Sequence, residues 1–331
     1  MSLQVSVITT VLNEANSIEA LYRSLARQTR RPDEWVVVDG GSTDGTLAKL
    51  EGWAREGSLP MRVLCAPGAN ISRGRNLAVA AAQGPAIAAT DAGVRLEDTW
   101  LEELLAPFSD EDPPDVVGGF FVPEPHSTFE LALGAITLPA LAEIDPRTFH
   151  PSSRSVAFFR GAWQAVGGYP EWLDYCEDLL FDFALRNAGC QVAFAPRAVA
   201  HFRPRPNLQA FLKQYYRYAR GDGKADLWRY RHLVRYGTYL VAGPAALGLA
   251  LGHHAAWWLV VAAGIAALLR GPWRRLRPHL AGRPWRQRAA AIAWMPVIRV
   301  VGDVAKMVGY PVGVAWRLHH APAQPWPKRQ W

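Results

Sequence analysis

The sequence predicts an α/β fold on a mostly parallel, Rossmann-like sheet, continued by a basic helical region, and three observations carry that prediction. Apolar runs of strand length at residues 5–11, 35–38 and 86–90 alternate with helix-like stretches such as 17–28 and 72–83, the change of period expected of a parallel strand–helix repeat. Each run ends in polar residues, Asn13-Glu14, Asp39-Gly40-Gly41-Ser42 and Asp91-Ala92-Gly93, and open parallel sheets bind ligands at the carboxyl ends of their strands. Charge then divides the chain: residues 1–202 hold 15 Lys+Arg against 26 Asp+Glu, and residues 203–331 hold 21 against 3.

The first run is β-branched, follows Met1 without a basic leader and has Glu14 soon after it, so the N-terminus is expected to be a strand and not a secretory signal. The second ends in Asp39-Gly-Gly-Ser-Thr-Asp-Gly-Thr46. There small residues allow close backbone approach and a strand-end carboxylate can accept from a base or ribose; the same string also reads as a turn in which Ser42 or Asp44 caps the next helix. GxGxxG after the first strand and GxxxxGK[ST] are both absent, so a nucleotide must be held in another way. Cys65, Cys176 and Cys190 lie far apart without metal or CxxC spacing, which excludes a disulfide framework or a zinc site and fits a reducing compartment. A length of 331 residues, 50% hydrophobic and 20% charged, accommodates a catalytic core plus an appendage and excludes a disordered chain.

Past the acidic part, residues 206–235 are aromatic and basic and are expected to form interfacial helices. The apolar segments 236–252 and 255–269 hold 17 and 15 uncharged residues, slightly short of the roughly 20 of a membrane helix. A transmembrane hairpin over 236–270 is expected, with a buried soluble hairpin as the alternative. Seven arginines and no acid between residues 270 and 288 belong on the cytoplasmic side, which places the catalytic domain there too, at an inner or plasma membrane. Arg299, Asp303 and Lys306 stand at helical spacing within apolar residues 289–318 and predict an amphipathic interfacial helix. The division is a catalytic domain over 1–205, interfacial helices over 206–235, the hairpin over 236–270, and a basic loop, amphipathic helix and flexible proline-rich tail over 271–331.

Five blocks follow one another in fixed order: Val5-Ser-Val-Ile-Thr-Thr-Val-Leu-Asn-Glu14, Val36-Val-Val-Asp-Gly-Gly-Ser-Thr-Asp-Gly-Thr46, Ser72-Arg-Gly-Arg-Asn-Leu-Ala78, Thr90-Asp-Ala-Gly93, and an acceptor-side segment from Gly161 to Glu171 leading to Glu177-Asp178. This arrangement resembles the inverting family 2 glycosyltransferases over residues 3–205. The resemblance implies a GT-A type nucleotide-diphospho-sugar transferase domain, a UDP- or GDP-sugar as donor, and a hydroxyl acceptor. The hydrophobic appendage points to a lipid-linked or cell-envelope acceptor.

By that resemblance Thr10, Glu14 and Asp39 contact the nucleoside, and Arg73 or Arg75 approaches the base or diphosphate; Arg75-Asn76 matches the family's Arg-Asn pair and favours Arg75. Asp91 stands where the family places a DxD motif that holds Mn²⁺ or Mg²⁺. Here the third position is Gly93, so one customary carboxylate is missing. His201 is a candidate additional metal ligand, since imidazole takes Mn²⁺ readily, with a structural role as the alternative. Asp178 would be the general base that deprotonates the acceptor hydroxyl as it attacks the anomeric carbon. Glu177 would orient the acceptor or charge a helix start, and Asp182, one turn on, is a weaker second base. Gln214-x-x-Arg217-Tyr218 resembles the QxxRW element of membrane-bound synthases: Arg217 would bind the leaving diphosphate, Gln214 would hydrogen-bond and Tyr218 would stack on a sugar. The competing reading is a non-catalytic nucleotide-sugar-binding or scaffold protein with a degraded DxD. Nucleic acid is not expected as a partner, because the basic half interleaves its arginines with aromatic and apolar residues that suit lipid.

Overall fold

Residues 3–320 are described by a computed structural model, and they divide into two units: residues 3–122 together with 141–202, and residues 123–140 together with 203–320. The expected tail, 321–331, lies outside the described residues.

The first unit runs β1 (Val5–Val11), α1 (Ile18–Ala26), β2 (Glu34–Asp39), α2 (Thr46–Glu56), β3 (Met61–Cys65), α3 (Ile71–Ala81), β4 (Ala86–Ala89), β5 (Val94–Leu96), α4 (Trp100–Leu105) and β6 (Val116–Pro123). After α5 (Thr128–Thr137), which belongs to the second unit, it continues with β7 (Val156–Phe159), α6 (Arg160–Ala165), α7 (Glu177–Asn187) and β8 (Val192–Phe202). The sheet order is β3-β2-β1-β4-β7-β6-β8-β5. β1 pairs in parallel with β2 and β4, and β2 with β3, whereas β7 is antiparallel to β4 and β6, and β5 to β8.

The pleat sorts the strands' apolar residues onto two faces. Val5, Val7, Trp35, Val37, Ala86 and Ala88 enter one core, while Ile8, Val36, Val38, Ile87 and Ala89 enter the other. Burial on both faces is why these strands read as unbroken apolar runs. α1 covers the first core with Ile18, Leu21 and Leu25, the three- and four-residue spacing of one helix face. Even the buried Trp35 indole is satisfied, donating to Thr9 Oγ1 at 3.0 Å.

The second unit is helical: α5, α8 (Leu208–Ala225), α9 (Arg229–Tyr236), a π-helical stretch (Gly237–Ala242), α10 (Gly243–Gly252), α11 (Trp257–Leu276) and α12 (Trp285–His320). Its cores join Phe129 and Leu133 of α5 to Phe211 of α8 and Ile298 of α12, and Leu131 to Leu276 and Met295. α8 and α12 meet backbone to backbone. A Cβ at Gly309 would stand 2.2 Å from the Tyr216 carbonyl oxygen, and one at Gly313 would stand 2.1 Å from that of Arg220, so the four-residue spacing of these glycines sets the approach.

Two expectations change here. Among the described residues no helix is long and apolar enough to cross a membrane, which corrects the transmembrane hairpin. The hairpin itself forms, but α10 has only 10 residues behind a 6-residue π-helical stretch, and α11 meets Arg270, Pro272 and Arg274 before its end. Its apolar part, residues 257–269, rises only ~20 Å at 1.5 Å per residue, against ~30 Å of hydrocarbon. The second change concerns α12, whose charged stripe turns inward: Asp303 is buried and accepts from Arg235 Nε at 2.7 Å and Tyr239 OH at 2.9 Å, with Arg299 Nε also 2.9 Å away. Helical spacing tells which residues share a face, and the packing partners decide which face is covered.

Candidate active site

The loops after β1 and β2 are laced together by short polar side chains. Asn13, at φ 57, donates its N–H to Ser42 Oγ at 2.8 Å and accepts from Thr43 N–H at 2.9 Å; Glu14 N–H donates to Thr46 Oγ1 at 2.8 Å and Ala15 N–H to Asp44 Oδ2 at 3.0 Å. Ser42 and Asp44 therefore serve this lacing. The Thr46 hydroxyl, foremost among its contacts, holds the Asp44 carboxyl below its ordinary value. Asp39 is fully buried; its Oδ1 accepts from Gly41 and Ser42 N–H at 2.8 and 2.7 Å, while its Oδ2 is buried with no hydrogen-bond partner. A buried carboxylate oxygen without a donor is costly, and one at a strand's carboxyl end is suited to a ligand's N–H or O–H. Thr10 lies near the end of β1, in the same parallel half. The Glu14 carboxylate turns back to its own helix and accepts from the Ser17 hydroxyl.

The third, fourth and fifth sequence blocks converge on Arg75. Asn70 caps α3 by accepting from Arg73 N–H at 2.9 Å; one turn into the helix Arg73 faces out while Arg75 is buried. Arg75 donates to Glu177 Oε1 at 2.6 Å and to Asp91 Oδ1 at 3.0 Å, with its guanidinium 5.3 Å from the Tyr169 ring centre. Arg154 Nε stands 3.8 Å from the other Asp91 oxygen, its guanidinium lying over Phe202 at 4.7 Å. Asp91 is thus flanked by two arginines. Asn76 ties α3 to the acceptor-side segment: its Oδ1 accepts from Trp163 Nε1 at 3.0 Å and Tyr169 N–H at 2.8 Å, and its Nδ2 donates to the Tyr169 carbonyl at 2.9 Å. Gly168 beside it has φ +80, and a Cβ there would stand 2.6 Å from Asn76 Oδ1, so no larger residue serves.

Burial is the largest influence on both partners of the central pair. It works against the Arg75 charge, but Glu177 and Asp91 outweigh it and raise its pKa, so Arg75 stays a cation. Burial also pushes Glu177 up to about 7 against the lowering pull of Arg75, with Asp178 adding to the rise. Tyr169 is pushed up to about 12, again chiefly by burial.

α7 starts at Glu177 after Cys176, a left-handed residue at φ 67, a backbone state that a non-glycine residue holds only where its surroundings impose it. Asp178 lines a cavity of about 10 Å³ together with Ser153, Tyr169, Phe181 and Asp182. Asp178 and Asp182 share that side, as their four-residue spacing requires. Asp182 Oδ2 pairs with His150 Nδ1 and with Arg186 Nε at 3.4 Å, while its Oδ1 is buried with no hydrogen-bond partner. Gln214, Arg217 and Tyr218 lie on α8 of the second unit, where Gln214 Nε2 donates to Tyr218 OH at 2.9 Å.

Among the described residues no group of three or more His, Cys, Asp or Glu is placed to hold a metal. His201, on β8 opposite Arg95 of β5, has its Nε2 paired with Glu97, so its imidazole already has a carboxylate partner. Sequence reasoning did not find Arg154, Tyr169 or His150. Each stands outside the motif blocks or inside them without a distinctive neighbour, and only Tyr169, directly after the Gly167-Gly168 pair, carried a local signal.

Residues 6–153 match the family described as glycosyl transferase family 2, and residues 145–301 the family described as glycosyl transferase family group 2. The succinoglycan biosynthesis protein ExoA of Rhizobium meliloti (strain 1021) is 29% identical over 293 residues, covering 82% of this chain and 85% of its own. The O-antigen chain rhamnosyltransferase WbaN of Salmonella anatum is 25% identical over 208 residues, 58% of this chain and 64% of its own. The mannosyltransferase PcManGT of Pyrobaculum calidifontis, solved with GDP-Man and Mn²⁺, is alike in fold, with a TM-score of 0.55 and 19% identity over 97% of this chain and 88% of that one. Two overlapping family matches together run from residue 6 to residue 301 over a GT-A type α/β fold, and both are to glycosyltransferase families.

Proposed function

We propose that the chain transfers a sugar, with inversion, from a nucleotide-sugar donor to a hydroxyl of a lipid-linked or cell-envelope acceptor, working at a membrane with its catalytic part on the cytoplasmic side. The observation that carries the reading is the buried Arg75, which holds the strand-end Asp91 and the helix-start Glu177 at once and so fixes Asp178 beside the donor end of the sheet. The names of the relatives, a succinoglycan biosynthesis protein and an O-antigen chain rhamnosyltransferase, support an envelope polysaccharide or its lipid-linked precursor as acceptor. The GDP-Man bound to the mannosyltransferase of like fold supports a nucleotide-sugar donor.

In this reading the free Asp39 Oδ2 accepts from the base or ribose, with Thr10 and Glu14 beside it, and Arg75 and Arg73 set the positive potential met by the diphosphate. Asp178 accepts the acceptor hydroxyl's proton as its oxygen bonds to the anomeric carbon. The bond from that carbon to the diphosphate oxygen breaks on the opposite face, and the electron pair leaves with the nucleoside diphosphate, which inverts the configuration. Glu177 orients the acceptor. A divalent cation is commonly bound by one or two carboxylates together with substrate phosphates. Asp91, with its side chain 33% exposed at the end of β4, fits as one such carboxylate for Mn²⁺ or Mg²⁺. When bound, the cation would supply neutralising charge for the diphosphate.

The test is a titration of purified protein with UDP-, GDP- and dTDP-sugars, with and without Mn²⁺, following heat of binding and release of nucleoside diphosphate. One donor is expected to bind and to be slowly hydrolysed, with hydrolysis lost and binding kept in Asp178→Asn. Failure of every nucleotide sugar to bind overturns the reading in favour of a scaffold.

A further inference from the structure

The second unit is built as proteins are when lipid is part of their solvent. A set of charges lies inside it: Asp303 is 5% exposed and held by Arg235 and Arg299, Asp226 is 3% exposed and held by Arg229 and Arg317, and Lys224 and His232 are buried too. Its apolar groups lie outside. Along α12, Val297, Val300, Val304, Val308 and Val312 recur at three- and four-residue spacing, each at least 40% exposed, forming one outward stripe. Val241 in the π-helical stretch before α10, Leu251 of α10 and Leu259 of α11 are 66%, 72% and 74% exposed. A surface meeting only water rarely carries so many large apolar groups.

Charge follows the hairpin at once. Arg270, Arg274, Arg277, Arg286 and Arg288 are exposed, and no acid occurs between residues 270 and 288. An apolar arm of ~20 Å is too short for the whole hydrocarbon layer but long enough to enter one leaflet. Guanidinium groups at the base of such an arm stand at the level of headgroup phosphates. At the hairpin turn His254 Nδ1 accepts from Ala256 N–H at 3.1 Å, satisfying one of the backbone groups that hydrocarbon would leave bare.

We propose that this unit docks on one leaflet of a bilayer rich in anionic phospholipid, with the α10–α11 hairpin dipping into the acyl region without crossing it and the arginines of residues 270–288 resting on lipid phosphates. This deepens the membrane location in the functional reading above, and its readout is lipid binding and topology, so its failure is distinct from failure of the transferase reading.

The full chain is floated with vesicles of phosphatidylcholine alone and of phosphatidylcholine mixed with phosphatidylglycerol. Binding is expected only to the anionic vesicles, to weaken with salt, and to fall more than tenfold in the double variant Arg270→Glu, Arg274→Glu, since each arginine near such a surface contributes about fivefold. Leu251→Asp with Leu259→Asp, both at exposed positions, is expected to abolish flotation without lowering the melting temperature. Ala255→Cys, at the turn, is then mixed with vesicles that enclose a membrane-impermeant maleimide and is expected to stay unlabelled. Equal binding to neutral vesicles, absence of flotation, or luminal labelling of residue 255 would each overturn the proposal, the last by showing that the hairpin spans.

Discussion

The first unit keeps its apolar residues inside and buries one arginine between two carboxylates, whereas the second encloses a set of ion pairs and shows valines and leucines to its surroundings. Both bury charge, but to different effect. In the first, Arg75 is shared between Glu177 and Asp91, and two buried carboxylate oxygens, Asp39 Oδ2 and Asp182 Oδ1, have no hydrogen-bond partner. In the second, Asp303 and Asp226 are each enclosed by arginines and their charge is spent within the helix packing. A buried charge with all its partners in the protein holds structure, and one with a free lone pair is available for chemistry.

Six substitutions test that contrast, from the largest effect to the smallest. Asp178→Asn is expected to cut turnover by about 10²–10⁴-fold while leaving donor binding intact, and Asp182→Asn, whose Oδ2 is held by His150 and Arg186 while its Oδ1 has no partner, is expected to cut it less; equal losses in steady-state rates would place the base on both. Arg75→Ala leaves two carboxylates without their cation and is expected to destabilise the chain by about 3–5 kcal/mol near neutral pH in denaturant unfolding. The sign with pH is fixed by Glu177. Its folded pKa, about 7, lies above its ordinary 4.5, so the folded state holds more protons between those values, and stability falls as pH rises through that window. Glu177→Gln is expected to remove that slope from a plot of melting temperature against pH.

In the second unit Gly309→Leu drives a side chain into the Tyr216 carbonyl and is expected to destabilise by about 1–3 kcal/mol, read by thermal unfolding. Lys306→Met is the mildest change and has the opposite sign. Burial lowers the Lys306 pKa to about 8 from 10.5, with Arg235 adding to the effect. The unfolded chain therefore holds more protons between pH 8 and 10.5, and stability rises with pH through that window. Removing the amine is expected to stabilise the protein at pH 7, on the order of 1 kcal/mol, and to flatten the rise above pH 8. Lys306 also lies 4.7 Å from the Tyr215 ring centre; destabilisation by Lys306→Met would show that this contact outweighs the cost of burial.

Much of the donor side was legible beforehand because it is local. Strands buried on both faces leave unbroken apolar runs, and a polar residue directly after such a run lies at the carboxyl edge of the sheet, which is where Asp39 and Asp91 stand. Arg75 was separable from Arg73 only through a motif, and the structure adds why: two positions along a helix differ by about half a turn, so one faces the sheet and the other faces out. Other parts were hidden. Arg154 sits in a loop without pattern, and the His150 partner of Asp182 lies 32 residues earlier in the chain. The hairpin was overestimated because counting uncharged residues ignores where the helices break.

By itself the sequence determined the alternation of the first strands and helices, the partition of charge, and the residue types at those strand ends, all of which follow from neighbours within a few positions. Only the tertiary structure decided that Arg75 pairs with Glu177, 102 residues away, that Asp91 is flanked by arginines, and that the charged stripe of α12 faces inward. Periodicity makes residues share a face, but the partner that covers that face comes from elsewhere in the chain, and the cost of burying a charge is settled only when that partner is in place.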